Sequence, residues 1–381
     1  MKLVFASDSF KGTLSSARIC ELLEEAALAA WPDAQCVCLP MADGGEGTLD
    51  AIARVRAGER TMVSTHDGLM RPLVCPVFTC GDEAFVETAA SCGLTLLDPL
   101  MHDPLVTTSF GVGECIRHAL DMGCTRVTVG LGGSCTNDGG LGMLRALGVR
   151  FLGAAGKELD GCGADLEHVA AIDDRGLDPR IRHTAFTIMS DVTNPLYGPN
   201  GATYVFGRQK GADDKALAQL EAGMQRFADV ICGVRPGIDF DTPGYGAAGG
   251  LGMALAVFLN ARMESGIETL LQWFDFDALI AGADAVITGE GQLDEQSLQG
   301  KVISGVVSHA KAAGVPVVAL CGRVALDDEA LQRAGLAHVI DTSAGQTLEH
   351  ALAHAEENYR QAARQLFGRF YTLLDETGKS K

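Results

Sequence analysis

The strongest constraint on this chain is a glycine-rich stretch at residues 130–142, which holds six glycines in thirteen residues. It follows the short apolar run 126–129 and precedes residues 143–148, a pattern that predicts a strand, a tight bend and a helix. Glycine permits positive φ and lets backbone N–H groups approach a bound group closely. Polar side chains occupy the same stretch: Ser134, Thr136, Asn137 and Asp138. The combination suits an anion such as phosphate, although a turn needed only for close packing is the better explanation for one such loop taken alone.

The pattern recurs along the chain, which favours a functional role. Further bends follow predicted strands at residues 7–13, 40–48, 289–294 and 321–323, and a glycine series at 243–252 opens another helix. Loops at the carboxyl ends of parallel strands are where open α/β sheets bind their ligands. We therefore expect several of these loops to contribute to one or more ligand sites.

The order of the predicted elements indicates an α/β fold with two α/β domains. Strands and helices alternate at both ends of the chain, whereas residues 61–87 alternate with the period of β-strands. We predict a doubly wound, mostly parallel, Rossmann-like sheet built from residues 1–60 and 275–381, with a mixed α/β domain of residues 61–274 inserted. Val317 and Val318 should lie in a buried parallel strand, and residues 348–374 should form one long terminal helix.

Composition excludes several classes of protein. A net charge of −19 argues against nucleic acid or an anionic membrane as partner. No apolar run is long enough to span a bilayer and the chain starts on a strand, so we expect a cytoplasmic protein. Twelve scattered cysteines indicate reduced core thiols, and no His–Cys spacing indicates structural zinc. Whether the protein forms a homo-oligomer stays open.

The predicted loops lack the common nucleotide-binding and catalytic signatures. There is no P-loop, no complete dinucleotide fingerprint, no nucleophile elbow and no protein-kinase motif. What remains is a mixture of acids, amides and cations at glycine-rich strand ends: Lys11, Asp43, Asn137, Asp138, Asp191, Lys210, Glu290, Asp294, Lys301 and Arg323. Such a mixture suits phosphoryl transfer, which needs positioning and charge neutralisation, but helix capping or simple solvation explains each residue singly.

Six motifs, taken in order, resemble those of the bacterial type 1 glycerate kinases. They are Asp8-Ser9-Phe10-Lys11-Gly12, residues 40–48, residues 132–140, residues 190–196, Gln209-Lys210-Gly211-Ala212 and Thr288-Gly289-Glu290-Gly291. The resemblance implies phosphorylation of D-glycerate that depends on ATP and Mg²⁺, usually at the 2-hydroxyl to give 2-phospho-D-glycerate. It also implies a two-domain α/β fold.

On this resemblance we assign site residues by role. The catalytic residues are Asp191, as proton acceptor, and Lys11. The substrate-binding residues are Ser9, Asp43, Asn137, Asp138 and Lys210. ATP is expected at Gly132, Gly133, Ser134, Gly289, Gly291 and Lys301, and the metal at Asp43, Glu290 and Asp294.

Three other functions stay open at this point. One is phosphorylation of glycerate at the 3-hydroxyl, and another is a non-catalytic sensor of sugar acids on the same fold. The third is a nicotinamide-dependent hydroxyacid dehydrogenase, against which the missing dinucleotide fingerprint counts.

Overall fold

A computed structural model of the chain describes residues 1–10, 13–42, 44–298 and 301–375. The chain forms two compact units. The first comprises Met1–Asp43, Arg54–Arg56 and Gly266–Lys381, and the second comprises Gly44–Ala53 and Ala57–Ser265. The domain boundaries proposed from the sequence, at residues 60 and 275, stay a prediction.

The strands are short and spread over the whole chain. In order they are β1 (Lys2–Ser7), β2 (Gln35–Cys38), β3 (Glu59–His66), β4 (Pro72–Cys80), β5 (Glu83–Glu87), β6 (Arg126–Gly130), β7 (Arg150–Leu152), β8 (Ala171–Asp173), β9 (Ala185–Met189), β10 (Arg262–Glu264), β11 (Ala285–Gly289), β12 (Val317–Cys321) and β13 (His338–Asp341).

The α-helices alternate with these strands. They are α1 (Ser16–Ala30), α2 (Thr48–Val55), α3 (Thr88–Cys92), α4 (Phe110–Asp121), α5 (Leu141–Ala146), α6 (Ala202–Phe206), α7 (Asp214–Val234), α8 (Leu251–Leu259), α9 (Gly266–Phe274), α10 (Phe276–Ile280), α11 (Val302–Ala312), α12 (Asp328–Arg333), α13 (Leu348–Ala353), α14 (Ala355–Gly368) and α15 (Phe370–Asp375).

The first unit contains a parallel sheet in the order β13-β12-β11-β1-β2. Its inner strands are apolar on both faces, as expected for a parallel sheet covered by helices. Val317 and Val318 are 3% and 0% exposed, so the predicted buried strand is confirmed. Leu22 and Leu23 of α1 and Leu366 of α14 join the same core cluster as the strands.

The second unit contains a six-stranded mixed sheet in the order β10-β9-β6-β5-β4-β3. Strands β3, β4 and β5 pair antiparallel, whereas β5, β6, β9 and β10 pair parallel. The alternating residues after position 60 are therefore the antiparallel half of this sheet. The predicted α/β fold class is confirmed.

The long helix predicted over residues 348–374 is wrong. The structure has three helices there, because His354 and Arg369 adopt φ/ψ of −119°/22° and −124°/13°, which are not helical. Neither break involves glycine or proline as the non-helical residue, so the sequence gives little warning. Helix α14 buries an apolar stripe, whereas α13 buries no residue.

Two further observations bear on the sequence predictions. All twelve cysteines are free, and seven of them are buried, as expected of reduced core thiols. Within the described part of the chain, no helix is both long enough and apolar enough to cross a membrane.

Candidate active site

The glycine-rich loop that follows β6 in the second unit needs its glycines. Gly133, Gly139 and Gly140 have φ of 74°, 61° and 77°, which side chains rarely tolerate. A Cβ on Gly132 would lie 2.4 Å from the Cα of Gly45, so any larger residue would collide with backbone. Gly132 also donates its N–H to the Gly44 carbonyl oxygen at 3.1 Å.

A third glycine loop packs on the same stretch. Gly139 donates its N–H to the Gly249 carbonyl oxygen at 2.9 Å. A Cβ on Gly249 would lie 2.2 Å from the Thr136 carbonyl oxygen. Loops from three distant parts of the second unit are thus held in close backbone contact, so close packing explains at least these glycines.

The carboxylate of Asp138 holds this loop together from inside. Asp138 is 0% exposed. Its Oδ2 accepts hydrogen bonds from the Ser109 N–H at 2.7 Å, the Ser109 hydroxyl at 2.8 Å and the Gly142 N–H at 3.2 Å, and its Oδ1 accepts from the Gly140 N–H at 3.0 Å. Burial raises the pKa of Asp138, and these hydrogen bonds oppose that shift. The Asp138 carboxylate therefore binds backbone N–H groups at the N-terminus of α5.

Lys210 is buried beside the loop, with 3% of its surface exposed. Its Nζ donates to the Ser134 hydroxyl at 3.1 Å and to the Thr136 carbonyl oxygen at 2.6 Å. Burial lowers the pKa of Lys210 to about 8. The amide of Asn137, also buried, donates through Nδ2 to the Thr203 hydroxyl at 3.2 Å, while no described group donates to its Oδ1.

Glu87, at the end of β5, is a buried carboxylate beside these loops that the sequence predictions did not single out. It is 6% exposed. Its Oε1 accepts a hydrogen bond from the Gly47 N–H at 3.2 Å, and its Oε2 accepts one from the Leu49 N–H at 2.8 Å. Burial raises its pKa. The available signal was its place at the end of a predicted strand, in register with Gly130 of β6.

Asp191 stands two residues beyond the end of β9 and is exposed. Its Oδ1 accepts a hydrogen bond from the hydroxyl of Ser265, the residue after β10, at 3.2 Å. Strands β5, β6, β9 and β10 are parallel neighbours, so their carboxyl ends lie at the same side of the sheet. Glu87, the loop after Gly130 and Asp191 therefore all lie at that side.

The first unit has its own set of strand-end loops. Strand β1 lies between β2 and β11, so the chain order reverses between β1 and β11, where open sheets characteristically bind ligands. Asp8 donates its N–H to the Gly289 carbonyl oxygen at 2.8 Å, and Ser9 donates its N–H to the Asp8 carboxylate at 2.7 Å. A Cβ on Gly289 would lie 1.9 Å from the Leu320 carbonyl oxygen, so this bend also requires glycine.

Glu290 is the distinctive carboxylate of these loops. It is 8% exposed, and its Oε1 is buried with no hydrogen-bond partner among the described residues. Burial raises its pKa, a hydrogen bond with the Ser297 side chain and the charge of Lys301 oppose that shift, and nearby Asp8 and Asp294 add to it. Lys301 is the exposed N-cap residue of α11, and Arg323 is exposed beside Gly322.

Some predicted site residues do not enter this geometry. Lys11 and Asp43 lie outside the described residues, so their predicted roles stay predictions. Gly291 and Asp294 lie in the loop after β11, where Asp294 accepts a hydrogen bond from the Gln292 side chain at 3.2 Å. Within residues 1–10, 13–42, 44–298 and 301–375, no group of three or more His, Cys, Asp or Glu residues is arranged to hold a metal ion.

Both units thus present glycine-rich loops with charged residues at the carboxyl ends of parallel strands, as α/β enzymes acting on small anionic molecules do. Residues 3–371 match the model of the glycerate kinase family, and the chain belongs to that family. The predicted family and the predicted kind of enzyme, a glycerate kinase, are confirmed.

Individual relatives match along nearly the whole chain. A glycerate kinase of Bacillus cereus is 40% identical over 96% of this chain and 97% of its own. The glycerate 2-kinase of Escherichia coli K12 is 41% identical over the same shares. A crystal structure from Salmonella typhimurium LT2, of a protein assigned as glycerate kinase 2, matches with a TM-score of 0.83 and 40% identity over 98% of both chains.

Proposed function

We propose that this protein transfers the γ-phosphoryl group of ATP to the 2-hydroxyl of D-glycerate, giving 2-phospho-D-glycerate. The observation that carries the proposal is the exposed carboxylate of Asp191 at the same sheet edge as the glycine-rich loop, in a chain that matches its family from residue 3 to residue 371. The 2-position rests on the relative from E. coli whose name specifies it.

In the second unit, Asp191 accepts the proton of the attacking hydroxyl. A secondary alcohol must lose its proton as the phosphoryl group arrives, and a positioned carboxylate can accept it. Gly133 and Ser134 bind anionic oxygens through their N–H groups and the Ser134 hydroxyl, whereas Gly132, whose N–H is already donated to Gly44, contributes by keeping the loop closely packed. The buried, unpartnered Oδ1 of Asn137 accepts a substrate hydroxyl. We assign Asp138 to holding the loop rather than to binding substrate, because protein donors already occupy its carboxylate.

In the first unit, Ser9 and the bends at Gly289 and Gly291 contribute to ligand binding, with Lys301 meeting phosphate charge. The unpartnered Oε1 of Glu290 fits a magnesium site, because Mg²⁺ is usually held by one or two carboxylates together with substrate phosphates. Glu290 and Asp294 would hold the ion, with Asp43 the third predicted ligand. When bound, Mg²⁺ neutralises phosphate charge. The predicted role of Lys11 is a contact to the substrate carboxylate or to the charge that develops during transfer.

The test is glycerate-dependent release of ADP from ATP and Mg²⁺ by the purified protein, followed with a coupled assay. We expect turnover with D-glycerate and none without it. A protein that binds glycerate in a calorimeter but releases no ADP would be the sensor, and reduction of NAD by glycerate would indicate the dehydrogenase. The cytoplasmic location and any homo-oligomer remain predictions.

A further inference from the structure

The contact between Lys210 and Ser134 has a fixed direction. A lysine ammonium group carries three N–H donors and no acceptor, so the Ser134 oxygen must accept in the 3.1 Å contact. A second proton of Lys210 goes to the Thr136 carbonyl oxygen at 2.6 Å. Both partners belong to the glycine-rich loop, so the buried cation ties the loop at two points.

The hydroxyl hydrogen of Ser134 must then point away from Lys210. In the part of the chain that the structure describes, Ser134 makes no second side-chain hydrogen bond, and 7% of its surface is exposed. A hydroxyl has one donor and two acceptor positions, so Lys210 leaves the donor position available.

We propose that Lys210 fixes the Ser134 hydroxyl as a hydrogen-bond donor to an anionic oxygen of a bound ligand, either the carboxylate of glycerate or a phosphate of ATP. This inference rests on the proposed function. Lys210 is then a positioning residue that acts through Ser134 and does not touch the ligand, which revises the substrate contact predicted from the sequence.

The surroundings of Lys210 make the arrangement sensitive to pH. The titratable groups that face it are Cys92, Cys135 and Asp138, with His102 near the adjoining Gly211. Burial raises the pKa of the Cys135 thiol to about 12 and that of Cys92 well above its usual value, so both stay uncharged. The Asp138 carboxylate accepts a hydrogen bond from the Ser109 hydroxyl, and the His102 Nε2 atom lies 3.2 Å from the Leu94 carbonyl oxygen.

Loss of the proton from Lys210 would reverse its hydrogen bond to Ser134. A neutral amine has a lone pair, so the Ser134 hydroxyl can donate to Nζ instead of donating to the ligand. Because burial lowers the pKa of Lys210 to about 8, the reversal falls within an accessible range of pH. Ligand affinity should therefore fall as pH rises through about 8.

The test is calorimetric binding of ATP and of D-glycerate, each alone, between pH 6.5 and 9.5. We expect the affinity of the wild type for one of the two ligands to fall above pH 8. The ligand whose affinity falls is the one whose carboxylate or phosphate accepts the hydrogen bond from Ser134. Ser134→Ala and Lys210→Met should each weaken that ligand roughly tenfold at pH 7 and remove the pH dependence. The double variant should bind no more weakly than either single variant, because both changes act on the same hydrogen bond from Ser134 to the ligand.

Lys215→Met is the matched control, since Lys215 is an exposed lysine in α7 and should leave the pH profile unchanged. A pH-dependent fall that persists in Ser134→Ala, or additive losses in the double variant, would overturn the proposal. If Lys210→Met does not fold, Ser134→Ala alone decides. A protein that shows this coupled binding but releases no ADP would refute the proposed function and leave this inference standing.

Discussion

The two sets of strand-end loops differ in how their charged groups are satisfied. In the second unit, Asp138 accepts hydrogen bonds from Ser109, Gly140 and Gly142, and Lys210 donates two. In the first unit, Glu290 is nearly as buried yet keeps a carboxylate oxygen without a partner. The charged groups of the second unit's loop are thus hydrogen-bonded within the protein, whereas Glu290 keeps one carboxylate oxygen that no described residue contacts by a hydrogen bond.

The difference has an energetic meaning. A buried polar atom without a protein partner costs about 1–3 kcal/mol, and a bound ion is one way to offset that cost. We assign the second unit's loop, which Asp138 and Lys210 hold in place, to presenting the Ser134 hydroxyl to a ligand. The first unit's loop keeps a carboxylate that we assign to a cation and its nucleotide.

The largest effect should come from Asp191→Asn. This change keeps the size of the side chain but removes its basicity, so we expect kcat to fall by about 10²–10⁴ while ATP still binds. Steady-state kinetics and nucleotide titration on the folded variant measure both quantities. Asp160→Asn, an exposed aspartate of the same unit, is the control. A near-normal kcat would make Asp191 a structural residue and remove the catalytic group from the second unit.

Asp138→Ala should lower stability rather than affinity. The change leaves the Ser109, Gly140 and Gly142 N–H groups buried without an acceptor, so we expect the free energy of unfolding to drop by at least about 3 kcal/mol. Urea denaturation measures the loss, with Asp160→Ala as control. If the variant keeps its full stability, the Asp138 carboxylate does not hold the second unit's loop together.

In the first unit, Glu290→Gln should weaken nucleotide binding. An amide is a poorer magnesium ligand than a carboxylate, so we expect the KM for Mg-ATP to rise about tenfold while the KM for glycerate stays constant. Glu295→Gln, an exposed change in the same loop region, should have no effect. A rise in the glycerate KM alone would assign Glu290 to the other substrate.

The smallest effect concerns the same variant without ligands. Burial raises the pKa of Glu290 in the folded state, so the folded protein holds this proton to higher pH than the unfolded chain does. The stabilising contribution of the group is complete below its unfolded pKa and is lost as pH rises through the folded value. Glu290→Gln does not titrate, and we expect its Tm at pH 7 to exceed that of the wild type by ~2 °C. The difference should vanish near pH 4, and a variant that melts lower at pH 7 would contradict it.

The sequence predicted where the glycine-rich bends lie but not which partners their side chains have. The strand-to-glycine bends near Gly130 and Gly289 could be predicted because glycine and short apolar runs are local signals. The partners of Asp138 and Lys210 could not, because Ser109 and Ser134 lie 29 and 76 residues away in the chain. The partners of Glu87 could not be predicted either, because the N–H groups that donate hydrogen bonds to it belong to residues 47 and 49, about 40 residues away in the chain.

The most direct test of the proposed function is ³¹P NMR of the product formed from ATP, Mg²⁺ and D-glycerate. We predict a single phosphomonoester whose phosphorus couples to the one proton on C2, as in 2-phospho-D-glycerate. Coupling to the two protons on C3 would indicate phosphorylation at the 3-hydroxyl, and the absence of any phosphomonoester would contradict the kinase assignment itself.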